Sequence, residues 1–97
     1  MIKNMTNATA RPRLSPNIRL RLDRRTGGCL LLYPERGLEL NETASEIARL
    51  CTGEWTVDDM AQHLAQVYVD VSPDDIARDV YDFLTLLAGR GLLQGLR

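Results

Sequence analysis

The run Leu30-Leu31-Leu32-Tyr33-Pro34-Glu35-Arg36-Gly37-Leu38-Glu39-Leu40-Asn41-Glu42-Thr43-Ala44 constrains this chain more than any other stretch. An apolar strand meets Pro34, which has no N–H for a ladder, and Gly37, which tolerates positive φ, so residues 34–37 read as a turn. The chain then doubles back through the short strand Leu38-Glu39-Leu40 and runs straight into helix-capping residues at Asn41 and Thr43. Two strands and a helix start are thereby specified in one short stretch. The second of those strands is expected at a sheet edge.

Upstream, Ile18, Leu20 and Leu22 alternate with Arg19, Arg21 and Asp23, the period of a half-buried strand. Thr26-Gly27-Gly28 supplies permissive backbone for a hairpin turn, and Cys29–Tyr33 is uniformly apolar, as a central strand flanked by neighbours should be. A three-stranded antiparallel meander is expected. Downstream the period lengthens to that of helices. Asn41 or Thr43 caps the first, Thr43 with Glu46 fitting a capping box, and its stripe is Ala44, Ile47, Ala48 and Cys51. Gly53 stands where a left-handed C-terminal residue belongs. Thr56 with Asp59 caps the second helix, whose stripe is Val57, Met60, Ala61, Leu64, Val67 and Tyr68. The third starts at Ser72 with Pro73 in its first turn and Asp74 and Asp75 at its positive end. Ile76, Val80, Phe83, Leu84 and Leu87 form its buried face, and Gly89 or Gly91 ends it. Strands followed by helices make an α+β domain. Residues 1–15 show no period and are expected to be a flexible N-terminal arm, with a single domain over residues 16–94.

With Ile47, Leu50, Cys51, Gly53 and Thr56-Val57-Asp58-Asp59 added, the opening run closely resembles the PqqD family, small proteins of pyrroloquinoline quinone biosynthesis. The family pattern, here Leu31-Leu32-Tyr33-Pro34-Glu35, Leu38-x-Leu40-Asn41-x-Thr43-Ala44, Ile47, Leu50-Cys51-x-Gly53 and Thr56, is matched almost position by position. The resemblance covers roughly residues 11 to 93. It implies a winged helix-turn-helix-like architecture, a three-stranded meander followed by three helices. It also implies a non-catalytic peptide chaperone without a cofactor, which binds the ribosomally made precursor peptide PqqA and presents it to PqqE, a radical S-adenosylmethionine (SAM) enzyme. The sequence departs from the commoner pattern at Ala48, where a leucine often follows the isoleucine.

At 97 residues the chain is one small domain that buries roughly 60–70% of its unfolded surface, enough for one modest core and no deep internal cavity. No apolar stretch approaches the roughly 20 residues that span a bilayer, and the polar N-terminus lacks the apolar centre of a signal peptide. A cytoplasmic protein with no membrane partner is expected. Cys29 and Cys51 form no Cys-x-x-Cys pair and the single His is too little for a zinc set, so both cysteines read as small core hydrophobes.

Net charge is −1, but its signs are segregated: eight basic against two acidic residues over 1–36 (+6), four against eleven over 37–97 (−7). Such asymmetry suits electrostatically chosen partners, or attraction between the two halves of the domain itself.

Catalytic groups are missing from the pattern. His63 lies off the apolar stripe of the second helix with no nucleophile at usable spacing. Asp70, Asp74, Asp75, Asp79 and Asp82 have no calcium-loop spacing and read as cap residues and a solvated face. Gly27-Gly28 lacks the helix N-terminus and Lys of a phosphate loop, and Trp55 between two caps reads as a core plug. Neither an enzyme nor a metal site is expected.

Binding is the remaining chemistry. The strand Leu38–Asn41 closes the meander, so one of its sides should expose unpaired backbone that invites an added strand. The opposite edge, Ile18–Arg24, is guarded by Arg19, Arg21 and Arg24. With the third helix walling a groove beside the first of these edges, the peptide-binding residues are expected to be Leu38, Glu39, Leu40, Asn41, Val80, Phe83 and Leu84. Arg19, Arg21 and Arg24 are expected to face the enzyme partner.

Two other readings compete. A nucleic-acid-binding winged helix could use Arg11, Arg13, Arg19 and Arg21 on phosphates, but residues 70–82 set five Asp against Arg78 where a recognition helix would approach a polyanion. No nucleic-acid partner is therefore expected. A carrier of the quinone or a late intermediate could pair arginines with a tricarboxylate, though the domain is too small for an enclosing pocket. An exposed edge and a mobile arm also permit a homodimer.

Overall fold

In the computed structural model, which describes residues 8–34 and 36–96, the elements run β1 (Arg13–Leu14), β2 (Arg19–Leu22), β3 (Cys29–Tyr33), β4 (Arg36–Leu40), α1 (Glu42–Arg49), α2 (Val57–Val67), α3 (Pro73–Gly89) and β5 (Leu93–Gln94). The expected α+β arrangement holds: β2, β3 and β4 form an antiparallel sheet in that order, and three helices follow. The first reversal is made at Gly27, whose φ of +79° is open to glycine at no steric cost. Asp23 is expected on the solvent face of the strand but is buried in this turn, where its carboxylate accepts the Arg25 N–H at 3.0 Å.

The second reversal is tighter than expected. Tyr33 pairs directly with Arg36, so Gly37 is already a ladder residue opposite Leu32 and is absent from the positive-φ glycines Gly27, Gly53, Gly91 and Gly95. Each helix starts on a side-chain cap. Asn41, not Thr43, accepts the Ala44 N–H (2.8 Å), Thr56 accepts the Asp59 N–H (3.0 Å) and Ser72 accepts the Asp75 N–H (3.1 Å). Such caps contribute about 1 kcal/mol each.

The core lies between the helical layer and one face of the sheet. Leu31, Met60, Leu64, Val80, Leu84 and Leu87 have no exposed surface, and Ile47 has 1%. Burying each of these large side chains contributes about 1.5–3 kcal/mol. The α2 stripe ends sooner than its period suggests, because Val67 is 53% exposed at the helix end.

The described part of the expected arm, residues 8–15, is a packed segment. Ala10 and Pro12 are buried, and the Asp58, Val57 and Gly53 N–H groups donate to the carbonyls of Ala8, Ala10 and Pro12. β1 then pairs with β5 through Leu14 and Leu93, while the Leu14 N–H donates to the Cys51 carbonyl. The domain therefore begins before residue 16; residues 1–7 lie outside the described residues. Backbone bonds to segments far along the chain leave no local period, which is why this stretch reads as irregular.

Candidate functional site

The free edge of β4 is the starting point, and its polarity follows from the register. The Asp23 N–H donates to the Gly28 carbonyl at 2.8 Å, which makes Asp23 and Gly28 a hydrogen-bonded pair next to Leu22↔Cys29. Counting the antiparallel alternation from there, Leu30 and Leu32 bond toward β2, while Cys29, Leu31 and Tyr33 bond toward β4. Their β4 partners are Leu40, Leu38 and Arg36, so the N–H and C=O of Gly37 and Glu39 point away from the sheet. On β2 the same counting sends the backbone groups of Leu20 and Leu22 outward.

The end of this edge is fastened by a serine. The buried Ser45 Oγ accepts the Cys29 N–H at 2.8 Å and donates to the Leu40 carbonyl at 3.4 Å, bridging β3 and β4 where they diverge. Gly28 belongs to the same joint, because a Cβ there would collide with the Leu40 carbonyl oxygen. Both roles depend on contacts that sequence spacing does not display.

Just past the end of β4, at Asn41, α1 and α3 enclose an open groove of about 440 Å³. Asn41, Thr43, Ala44 and Ile47 line it from the α1 side; Asp79, Asp82, Phe83 and Leu86 line it from α3. Its floor is apolar and its α3 rim carries two carboxylates. A neighbouring hollow of about 450 Å³ reaches Glu39, Asn41 and Glu42 at the end of β4. The α2–α3 connection closes in on the same helix, with Tyr68 hydrogen-bonded to the Thr43 side chain. Burial pushes the Tyr68 hydroxyl above the usual tyrosine range; Glu42 and Glu46 add to the rise and the Thr43 bond opposes it.

The expected site residues divide sharply by burial. Asn41 and Phe83 line the groove, Glu39 is exposed on the free edge and Leu38 is half-buried beside it. Val80 and Leu84 have no exposed surface and Leu40 has 5%, so these three hold up the walls from inside and present no side chain to a ligand. The groove residues that sequence reasoning missed are Thr43, Ala44, Ile47, Asp79, Asp82 and Leu86. A signal existed for the last three: Asp79, Asp82, Phe83 and Leu86 recur at helical spacing as a second stripe next to the core stripe.

Other polar groups do not converge on a reaction centre. His63 meets Trp55 in a tilted ring contact with centroids 5.2 Å apart, both half-buried. Cys29 and Cys51 are buried free thiols, and burial pushes Cys51 up to about 12, so it stays protonated near neutrality. Among the described residues no three His, Cys, Asp or Glu side chains are grouped to hold a metal ion. Arg19 and Arg21 are exposed on β2, whereas Arg24 falls in the turn beyond that strand.

With this geometry in view, the comparisons with known proteins are specific. The family model described as coenzyme PQQ synthesis protein D (PqqD) matches residues 28–93. The chain belongs to the PqqD family. The PqqA binding protein of Bradyrhizobium diazoefficiens is 36% identical over 84 residues, covering 87% of this chain and 81% of that protein. The bifunctional coenzyme PQQ synthesis protein C/D of Methylorubrum extorquens is 37% identical over 83 residues, of which this chain spans only 22% of the length.

Among solved structures, the PqqD truncation of Methylobacterium extorquens PqqCD superposes with a TM-score of 0.77 at 34% identity, covering 93% of this chain and 95% of that one. That protein is described as a stand-alone recognition element for ribosomally synthesized and post-translationally modified peptides (RiPPs). A lasso peptide synthetase B1 in complex with its leader peptide superposes with a TM-score of 0.74 at 29% identity, covering 87% of this chain and 98% of that one. Within the PqqD family this chain is a recognition domain, not an enzyme.

Proposed function

We propose that this chain binds the precursor peptide PqqA as an added strand on β4 and presents it to the radical SAM enzyme PqqE. The observation that carries the reading is the juxtaposition of outward backbone groups at Gly37 and Glu39 with the apolar groove between α1 and α3. An extended peptide on that edge gains ladder hydrogen bonds, each contributing about 0.5–1.5 kcal/mol net. Alternate side chains of the same peptide reach the floor formed by Ala44, Phe83 and Leu86, with the buried Ile47 beneath it. The Bradyrhizobium relative named for binding PqqA and the synthetase relative holding a leader peptide both support this choice of ligand.

Presentation requires a second surface that stays free when the groove is filled. Arg19 and Arg21 on β2, with Arg24 in the turn beyond it, are that surface in this reading, because they are exposed on the far edge of the sheet. The exposed carboxylates Asp79 and Asp82 on α3 weigh against a nucleic-acid ligand, since they would repel phosphate. Among the described residues no helix is long and apolar enough to cross a membrane, and a cytoplasmic setting suits the two free thiols.

Amide chemical-shift mapping with a synthetic PqqA peptide tests the reading. Shifts concentrated on β4, the start of α1 and the 79–86 stripe of α3 are expected. A map centred on α2, or no saturable change, would overturn it.

A further inference from the structure

The groove accounts for one end of the β4 edge; the other end has a different character. Tyr33 closes β3, Arg36 opens β4 and Arg90 caps the C-terminal end of α3, and the three line one open hollow of about 400 Å³. Arg36 is on the same sheet face as Leu38 and Leu40, the face that meets the helices. Both arginines are exposed, and neither forms an ion pair with a described residue. Arg90 gains from the negative end of the α3 dipole, whereas Arg36 opens a strand and lies at no helix end. A carboxylate seated in this hollow would meet positive side chains from two elements, the setting of a charge-assisted contact.

We propose that this hollow is a carboxylate subsite: an Asp or Glu side chain of the peptide lying along β4 is held between Arg36 and Arg90, with Tyr33 as a wall. The proposal deepens the peptide-binding reading and rests on it. One hollow brings Asn41, just past the end of β4, together with Asp79 of α3, and the other brings Arg36 at the start of β4 together with Arg90 at the end of α3. From Arg36 to Asn41 the strand rises about 17 Å at 3.3–3.4 Å per residue. From Asp79 to Arg90 the helix rises about 16 Å at 1.5 Å per residue. β4 and α3 therefore flank the same length of bound peptide, with arginines at one end and Asp79 and Asp82 at the other.

This polarity sets direction. A peptide carboxylate is attracted at the Arg36 end and repelled at the Asp79 end, so the reversed orientation is penalised as well as unrewarded. For a strand added antiparallel to β4, the acidic side chain must follow the residue over the Phe83 floor, toward the peptide C-terminus.

The test is a thermodynamic cycle on the full chain, using the synthetic PqqA peptide of Bradyrhizobium diazoefficiens as probe. The protein variants are Arg36→Gln, Arg90→Gln and both together, with folding checked by circular dichroism. The peptide variants replace each acidic residue in turn by its amide. Each single protein variant should weaken binding about five-fold and the double variant more than ten-fold, as for a charge-assisted pair. One amide peptide should lose as much with the unaltered chain and lose nothing further with the double variant.

The subsite alone is overturned if the double variant binds within two-fold of the unaltered chain while the shift map stays on β4. It is also overturned if every amide peptide loses affinity equally with the unaltered chain and the double variant. No saturable binding by the unaltered chain overturns the peptide reading itself, and the subsite with it.

Discussion

On β2 the outward backbone groups belong to Leu20 and Leu22; on β4 they belong to Gly37 and Glu39. As hydrogen-bonding templates the two edges are equivalent. Their surroundings are not. β2 carries the exposed arginines Arg19 and Arg21 and ends in Leu22, 54% exposed. β4 runs into Asn41 and the start of α1, and α3 completes an apolar groove beside it. An edge becomes a recognition site when the neighbouring helices supply pockets for side chains, because ladder bonds alone are the same for every sequence. Long charged side chains on the other edge discourage unwanted pairing there.

The comparison breaks most severely where β4 is joined to the rest of the sheet. Gly28→Ala drives a methyl into the Leu40 carbonyl, and a backbone atom cannot swing aside, so a loss of about 3 kcal/mol in urea unfolding is expected. Gly27→Ala meets no atom within 4 Å and suffers only its φ of +79°, so a loss of about 1 kcal/mol is expected. Equal losses at the two positions would mean that the close approach at Leu40 is relaxed in solution. Ser45→Ala should follow at about 2 kcal/mol, since it leaves the buried Cys29 N–H without its partner. Faster amide exchange at Cys29 would localise that effect.

A pair of prolines then separates the edges by function. Glu39→Pro and Leu22→Pro each remove an outward N–H and no bond within the sheet. Calorimetry should show at least about a ten-fold loss of PqqA affinity for Glu39→Pro, with Leu22→Pro within about two-fold of the unaltered chain. Equal losses would show that the groove does not distinguish the edges. The smallest effect on peptide binding is expected from Arg19→Glu combined with Arg21→Glu. That charge reversal should leave PqqA affinity within about two-fold and weaken association with PqqE in a pull-down titration. Loss of both interactions in a folded variant would place the enzyme on the peptide surface.

Local chemistry determined much of this molecule by itself. The alternation at Leu20, the apolar run Cys29–Tyr33 and the caps Asn41, Thr56 and Ser72 each specify structure through neighbours a few residues away. The edge position of β4 followed from the same information, because the chain enters a helix straight after Leu40. Tertiary structure decided what local patterns leave open. Val80, Phe83, Leu84 and Leu86 all lie on a broad apolar arc of α3, and only the placement of α1 and α2 against it determines which of them is sealed and which faces the groove. The bonds that hold Ala8–Leu14 run to residues 51–58 and 93–94, and the Arg36–Arg90 hollow joins positions far apart in the chain. Periodicity records which face of an element is apolar; it does not record where the next element lands on it.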